Sequence, residues 1–447
     1  MNRLLNLIKN NKETKNASWI ICGRVIQMII SFLIGLWTAR YLGPSNYGLI
    51  NYVAAYIVFF ASFCTLGLSG MLLINELTLD PESEGTIMGT SIALRVGISV
   101  LSSFVLLGIV YIVDEKDPVI MKIAVLSCIQ LIFQVCDAFE SWFQKRYLSK
   151  IPAIVTLVGY LAGSLYRVYL LVTGKSVELF ALASSLVFVV MTVLLYAAYK
   201  KYDGPRLRFS WETGKRLLKK GYHFILSGMM IAVYSQTDKL MLKHMLSEEH
   251  VGYYSTAASI STVWAFVLGA IITSVSPTIM QYKKEKDEEA YLRKNRQLYA
   301  ILFYVSIAVS ALFTVFAKWI ILIPYGEAYR GAIAPLRIIT WYVAFAYLGT
   351  ARDTWLVCEN KQRYSKYMYL AAGILNVFMN LIFIPKWGAS GAAMASLLTQ
   401  IGTSMVLPLL WKDMRPNVKL MVDGILLKDL REKKQNQQEP GDQETGN

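Results

Sequence analysis

Ser127, Gln130, Gln134, Asp137 and Ser141 stand at i, i+3, i+7, i+10 and i+14 within an otherwise apolar stretch. That spacing puts five polar groups on one face of a helix. Two glutamines and an aspartate exceed what helix packing uses, so the face reads as the wall of a wet lumen. Arg24, Gln27 and Ser31 repeat the pattern on a shorter scale, and Arg95, Arg167 and Arg337 also lie inside apolar stretches. Ionisable groups in such stretches are costly and usually face a cavity. Guanidinium stays charged and grips phosphate oxygens in pairs. A surplus of such cations therefore fits an anionic headgroup, a phosphate or diphosphate. Arg24, Arg95, Arg167 and Arg337 are the candidates for that contact. Gln27, Ser31, Gln130, Gln134 and Asp137 are the candidate cavity lining. Asp238 and Asp137 are candidate proton or cation sites, because desolvation favours the neutral form of an isolated buried carboxyl. Nearby arginines oppose that, which leaves the sign of the effect open.

Other polar groups have plainer readings. Lys318, Arg352 and Asp353 sit near the ends of apolar stretches, where side chains snorkel to the interface. Ser255, Ser259, Thr262, Gly269, Thr273 and Ser276 form a small-residue stripe that suits helix packing. Asn376 and Asn380, one turn apart, suit hydrogen bonds between helices. The five cysteines show no CxxC spacing and the three histidines do not cluster, so neither a disulfide framework nor a metal site is expected. No GxxxxGK[ST], GxSxG or HExxH pattern occurs, and no cofactor or catalysis is expected.

The elements that must position these residues follow from composition. The chain has 447 residues, of which 55% are hydrophobic and 17% charged, with a mean hydropathy of +0.43. A soluble chain would be about a quarter charged. The expected fold is an all-α polytopic membrane protein. Apolar windows of span length fall at 17–38, 47–72, 87–112, 119–141, 151–173 and 177–199, then at 221–243, 251–280, 298–323, 332–356, 365–384 and 388–411. The first window lacks a small-residue cleavage site and reads as a retained span. Twelve spans divide the chain into a bundle over 1–199, a basic linker over 200–220, a second bundle over 221–411 and a tail over 412–447. The polar end of the tail reads as disordered. The net charge of +15 reads as loop charge, with no nucleic acid as partner. With the N-terminus in the cytoplasm, 31 Lys and Arg fall on the inner side and 6 in the outer loops. That asymmetry places both termini inside. The 2–3 loop is the exception, with Glu76, Asp80, Glu82 and Glu84 and no basic residue. The linker, with an amphipathic run after Gly204-Pro205, reads as a surface helix held against anionic lipid.

A weak internal repeat accompanies the split. LGPSNYGLINYVAA at 42–55 matches LSEEHVGYYSTAAS at 246–259, pairing Gly48 with Gly252 at an offset of 204 residues. Two copies of six spans make pseudo-symmetric bundles around a central cavity, as transporters often have.

The segment TARYLGPSNYGLINY at 38–52 resembles the span 1–2 junction of the bacterial polysaccharide-biosynthesis flippases, the O-antigen and capsule repeat-unit transporters called Wzx. The resemblance continues at Gly67-Leu68, at Asp238-Lys239-Leu240-Met241-Leu242, at Val251-Gly252-Tyr253-Tyr254, at Asn376 and Asn380, and from Ile384 to Ala393. It implies the multidrug/oligosaccharidyl-lipid/polysaccharide exporter superfamily. It also implies a bacterial cytoplasmic membrane and alternating access. The cargo it implies is an undecaprenyl-diphosphate-linked oligosaccharide carried to the outer leaflet. The implied partners are that cargo, membrane lipid and other proteins of polysaccharide assembly. Arg24 occupies the span-1 position where related lipid flippases carry a basic residue. Peptidoglycan-precursor flippases usually have extra C-terminal spans, so about twelve spans favour the polysaccharide branch. A cation-coupled multidrug exporter is the first alternative, disfavoured by the basic bias of the buried charge. A membrane glycosyltransferase or polymerase is the second, disfavoured by short outer loops.

Overall fold

A computed structural model describes residues 12–68 and 70–428, with only the backbone course for residues 12–25 and Ser227. Among the described residues there are helices and turns and no strands. This suits a chain in lipid, where a helix satisfies its own backbone polar groups. The helices are α1 (Lys12–Cys64), α2 (Met71–Leu79), α3 (Glu84–Val113), α4 (Pro118–Phe133), α5 (Cys136–Lys145), α6 (Lys150–Thr173), α7 (Val177–Lys201) and α8 (Trp211–Met245). They continue with α9 (Glu248–Thr262), α10 (Phe266–Glu285), α11 (Glu288–Tyr325), α12 (Ile333–Cys358), α13 (Arg363–Trp387), α14 (Ala389–Ile401) and α15 (Arg415–Ile425).

Among the described residues, nine helical segments are long and apolar enough to cross a membrane, or ten when α9 and α10, bent by 41°, are one span. Two features separate that count from twelve. Gly43, at φ 72° and ψ 170°, breaks α1 into two span-length halves. A glycine tolerates that φ, and Pro44 then starts the second half with its missing N–H at no cost. α8, with Asp238 and Lys239 inside it, falls outside the nine. Each window read from the sequence overlaps a helix or two consecutive ones, although the window 47–72 runs past the end of α1 at Cys64.

The chain forms two compact units. One holds residues 1–252 with 324–328, the other 253–323 with 329–447. The first has its core around Leu73, Ile87, Met88, Trp142, Phe143 and Tyr199. The second is built on Leu268, Tyr291, Tyr299, Leu348, Trp355 and Met421. α8 belongs to the first unit.

The acidic 2–3 loop is explained inside the first unit. Lys220 Nζ lies 2.6 Å from Glu76 Oε1, and Arg216 Nη2 lies 3.8 Å from Asp80 Oδ2. Glu84 is buried and takes Lys145, Arg146 at 3.2 Å and the Trp142 indole N–H at 3.3 Å. The loop thus answers the basic linker. The linker is not a separate surface helix. Residues 204–210 run extended, and the helix that starts at Trp211 continues unbroken into α8. The extended part lies across α3, where Arg208 N–H donates to the Gly85 carbonyl at 3.1 Å. A side chain at Gly85 or Gly89 would collide with the Arg206 or Arg208 carbonyl. Glu76→Lys is expected to lower the yield of folded protein, and Glu76→Lys with Lys220→Glu to recover most of it. Fluorescence size-exclusion profiles of the three proteins test this. The half-buried pair is worth about 1 kcal/mol or more, since one partner left alone at Glu76 would be a buried charge.

The tail begins with an ordered stretch. Its first part forms α15, which buries Val418, Leu420, Met421 and Asn417. Asn417 Nδ2 donates to the Tyr299 hydroxyl at 2.7 Å, and the Tyr304 hydroxyl donates to the Ile425 carbonyl at 2.7 Å. Residues 429–447 lie outside the described residues.

The internal repeat has a structural counterpart. Gly48 sits on the Glu248 carbonyl, and Gly252 sits on the Pro44 carbonyl. Pro44 and Glu248 are themselves 204 residues apart, as are Gly48 and Gly252. The two contacts are therefore one contact made twice, in the reciprocal manner of a two-fold interface. At the opposite end of the same helices, a Cβ on Gly67 would meet the Gly221 carbonyl and one on Gly221 the Leu66 carbonyl.

Candidate functional site

A polar cavity opens in the first unit between the first half of α1, α5 and α6. One lobe, of about 270 Å³, is lined by Gln27, Glu140, Gln144, Thr156 and Tyr160, with Phe188 and Met191 of α7. The other, of about 570 Å³, is lined by Gln27, Met28, Ser31, Tyr160 and Arg167. Gln27 and Tyr160 line both lobes, which are therefore neighbours. Arg167 is steadied by Ser184 of α7, whose hydroxyl oxygen accepts from Nη2 at 2.9 Å. Tyr160 and Arg167 share a face because they are seven residues, about two helical turns, apart. The wall therefore offers a cation, two amides, a carboxylate, hydroxyls and an aromatic ring.

Of the residues singled out from the sequence, Gln27, Ser31 and Arg167 come together here. Gln130, Gln134 and Asp137 do not line this cavity. The helix of span 4 breaks at Gln134–Val135, between α4 and α5. On α5, past this turn, Glu140 and Gln144 reach the cavity. These two are one turn apart on α5, a spacing visible in the sequence, but the polar face read there ran through Asp137 and Ser141 and passed them over.

Asp137 has a different partner. Its Oδ1 lies 2.5 Å from Arg95 Nη2, and Arg95 is 2% exposed. Arg95 Nε and Nη1 have no hydrogen-bond partner among the described residues. The headgroup candidate and the coupling candidate are thus one buried pair. Asp238 is buried in α8, and Lys239 beside it donates to Gln236 Oε1 at 3.1 Å. Arg24 lies on α1 one turn before Gln27, and its side chain lies outside the described residues.

The second unit holds the rest. Arg337 is exposed on α12 and does not line the cavity of the first unit. Arg352 does not snorkel. It is buried, and Nη1 donates to the Thr403 and Ser404 carbonyls at 3.1 and 3.3 Å. Those carbonyls lie in a π-helical turn, Gly402–Val406, where the ordinary i to i+4 pattern lapses. Ser276 and Thr354 bond hydroxyl to hydroxyl at 2.8 Å, in keeping with helix packing. Asn380 donates to Asn376 along α13 at 3.0 Å, with both fully buried.

Long apolar helices with a polar cavity among them define a multi-pass membrane protein. Over 93% of this chain and 96% of the other, the fold matches the inward-facing conformation of a multidrug resistance MATE family transporter of the MOP superfamily, with TM-score 0.68 and 16% identity. It matches the lipid II flippase MurJ, inward closed, with TM-score 0.70 and 12% identity over 92% and 91% of the two chains. The family description "Polysaccharide biosynthesis protein" matches residues 14–283, and "MatE" matches residues 224–382. A Shigella flexneri protein named for O-antigen transport is 22% identical over 418 residues, 90% of this chain and 98% of that one. The chain belongs to the polysaccharide biosynthesis protein family, whose match covers more than half of it.

Proposed function

We propose that this chain is a flippase for a lipid-linked oligosaccharide, moving it across a bacterial cytoplasmic membrane by alternating access. The observation that carries this reading is the two-lobed cavity. Arg167 is a fixed cation suited to the diphosphate of the carrier. Gln27, Gln144, Ser31 and Tyr160 offer hydrogen bonds and an aromatic face to neutral sugars. Arg24, one turn from Gln27, is proposed to meet the diphosphate as it enters from the inner leaflet. The Shigella flexneri relative supports the choice of cargo.

The test is export of repeat units in a flippase-deficient strain, with membrane-inserted protein measured in parallel. Arg167→Ala is expected to lower export about tenfold or more, the scale of a lost charged hydrogen bond. Arg167→Lys should retain part of the activity, because the charge stays and the planar fork goes. Wild-type export by a normally inserted Arg167→Ala protein overturns this placement of the headgroup.

Both termini are proposed to be cytoplasmic, from the loop charges. A cysteine introduced in the 281–297 loop should resist an impermeant thiol reagent added outside intact cells. Labelling there reverses the orientation.

A second reading is favoured by the carboxylate of Glu140 in the cavity and by the MatE match over residues 224–382. Both suit export of a cationic amphiphile. Resistance to such a drug, lost in Glu140→Gln while repeat-unit export is absent, would select it.

A further inference from the structure

Tyr52 is fully buried and stands at a junction of three chain segments. Its hydroxyl lies 2.9 and 3.0 Å from the two carboxylate oxygens of Asp114, at the C-terminus of α3. It lies 2.9 Å from His244 Nε2 near the end of α8, and 3.1 Å from the Tyr56 hydroxyl. A phenol has one hydrogen to give. With Asp114 ionised, that hydrogen goes to the carboxylate. His244 Nε2 must then carry a hydrogen and donate to the Tyr52 oxygen. His244 itself is exposed, so its ring joins outside water to a buried hydroxyl.

We propose that Asp114, Tyr52 and His244 form a proton-binding site that holds the seam between the span 1–2 turn and the span 7–8 turn closed. The seam is the reciprocal glycine contact, and Tyr52 lies one turn beyond Gly48 on α1. A second proton on His244 makes the imidazole a cation. That strengthens its bond to Tyr52 and sets a positive charge across the phenol from Asp114. Losing the proton leaves a neutral donor and a weaker tie between α1 and α8. The ligand of the site is the proton alone.

The surrounding charges are few. From α1 come Tyr52 and Tyr56, from the end of α3 and the following loop Asp114 and Asp117, from α8 Lys243 and His244, and from α9 Glu248. Lys243 is tied to Glu248 at 3.0 Å. Burial pushes the Asp114 carboxyl up from its ordinary range, while the Tyr52 hydrogen bond, His244 and Lys243 pull it down. Asp114, Tyr52 and His244 are joined by direct hydrogen bonds.

The inference rests on alternating access in the proposed function, where this seam opens and closes. By the loop charges it faces outward, so a proton taken from outside would favour closure and the return of the empty carrier. Hydrogen–deuterium exchange of the full chain in lipid nanodiscs tests it without cargo. Rates in segments 44–52 and 246–252, corrected for intrinsic pH dependence, should be about fivefold slower at pH 5.5 than at pH 8, the difference between a charged and a neutral hydrogen bond. Tyr52→Phe should exchange fast at both pH values. His244→Gln, whose amide donates at every pH, should show one rate at both. A pH-independent wild type, or variants that keep the wild-type slope, overturns the proposal. The measurement involves no oligosaccharide, so that result leaves the cargo reading standing. Lost export beside an intact pH response would instead strike the cargo reading.

Discussion

Gly48→Ala and Gly252→Ala should each abolish most repeat-unit export and leave membrane insertion intact. A Cβ at Gly48 would overlap the Glu248 carbonyl, and one at Gly252 the Pro44 carbonyl. Both obstacles are backbone, so no side chain can swing aside. Relief requires α1 and the start of α9 to part. Overpacking of this kind costs roughly 1–3 kcal/mol, which moves a conformational equilibrium by about five- to a hundredfold. The reciprocity sharpens the expectation. Each glycine rests on the residue four positions before the other, so the two variants should lose export to a similar degree. The double variant should fall short of the summed effects, because the second methyl enters a seam already opened. Export per inserted protein molecule, measured for the two single variants and the double, checks both points. Undiminished export by Gly48→Ala would sink the idea that the seam must close.

This contact shows what the sequence could and could not disclose. The match of Gly48 with Gly252 was legible as a repeat, because a shared offset survives in the letters. That the two glycines touch was not, since contact depends on how distant segments pack. The spans were legible because hydropathy is a local property. The turn at Gln134–Val135 was not, for neither residue is a helix breaker and both hold αR-like angles. Asp137 was read as cavity wall, whereas it meets Arg95 and the wall is formed by Glu140 and Gln144 of the same short helix. Arg167, Gln27 and Ser31 were found because isolated polar groups in apolar helices announce themselves. Tyr52 was overlooked for the opposite reason. A tyrosine among apolar residues is unremarkable until its hydroxyl partners, 62 and 192 residues away, are known. The acidic 2–3 loop looked anomalous because charge counting ignores pairing, and Lys220 and Arg216 supply the pairs.

Asp137→Ala is expected to strip most folded protein from the membrane, whereas Arg95→Met with Asp137→Leu should fold normally and fail in export. The first half follows from burial. Arg95 is 2% exposed, and its contact with Asp137 at 2.5 Å is the ion pair that offsets its desolvation. Removing the partner of a buried charge costs about 3–5 kcal/mol, a large share of a typical stability. Replacing both members with apolar side chains of similar volume is often neutral or better. The double variant therefore restores the bundle and isolates the role of the charges. That role rests on the spare donors of Arg95. Nε and Nη1 are buried and have no hydrogen-bond partner among the described residues, which is costly for a pair that is only structural. A proton arriving on Asp137 would loosen the guanidinium and let those donors turn to another anion, which suits a coupling pair. Size-exclusion profiles should thus rank the double variant with wild type and well above Asp137→Ala. Export by the double variant should be at least about tenfold lower, on the scale of a charged hydrogen bond lost. A double variant that exports at the wild-type rate would make the pair structural and move the coupling site elsewhere, with Asp238 the next residue to substitute.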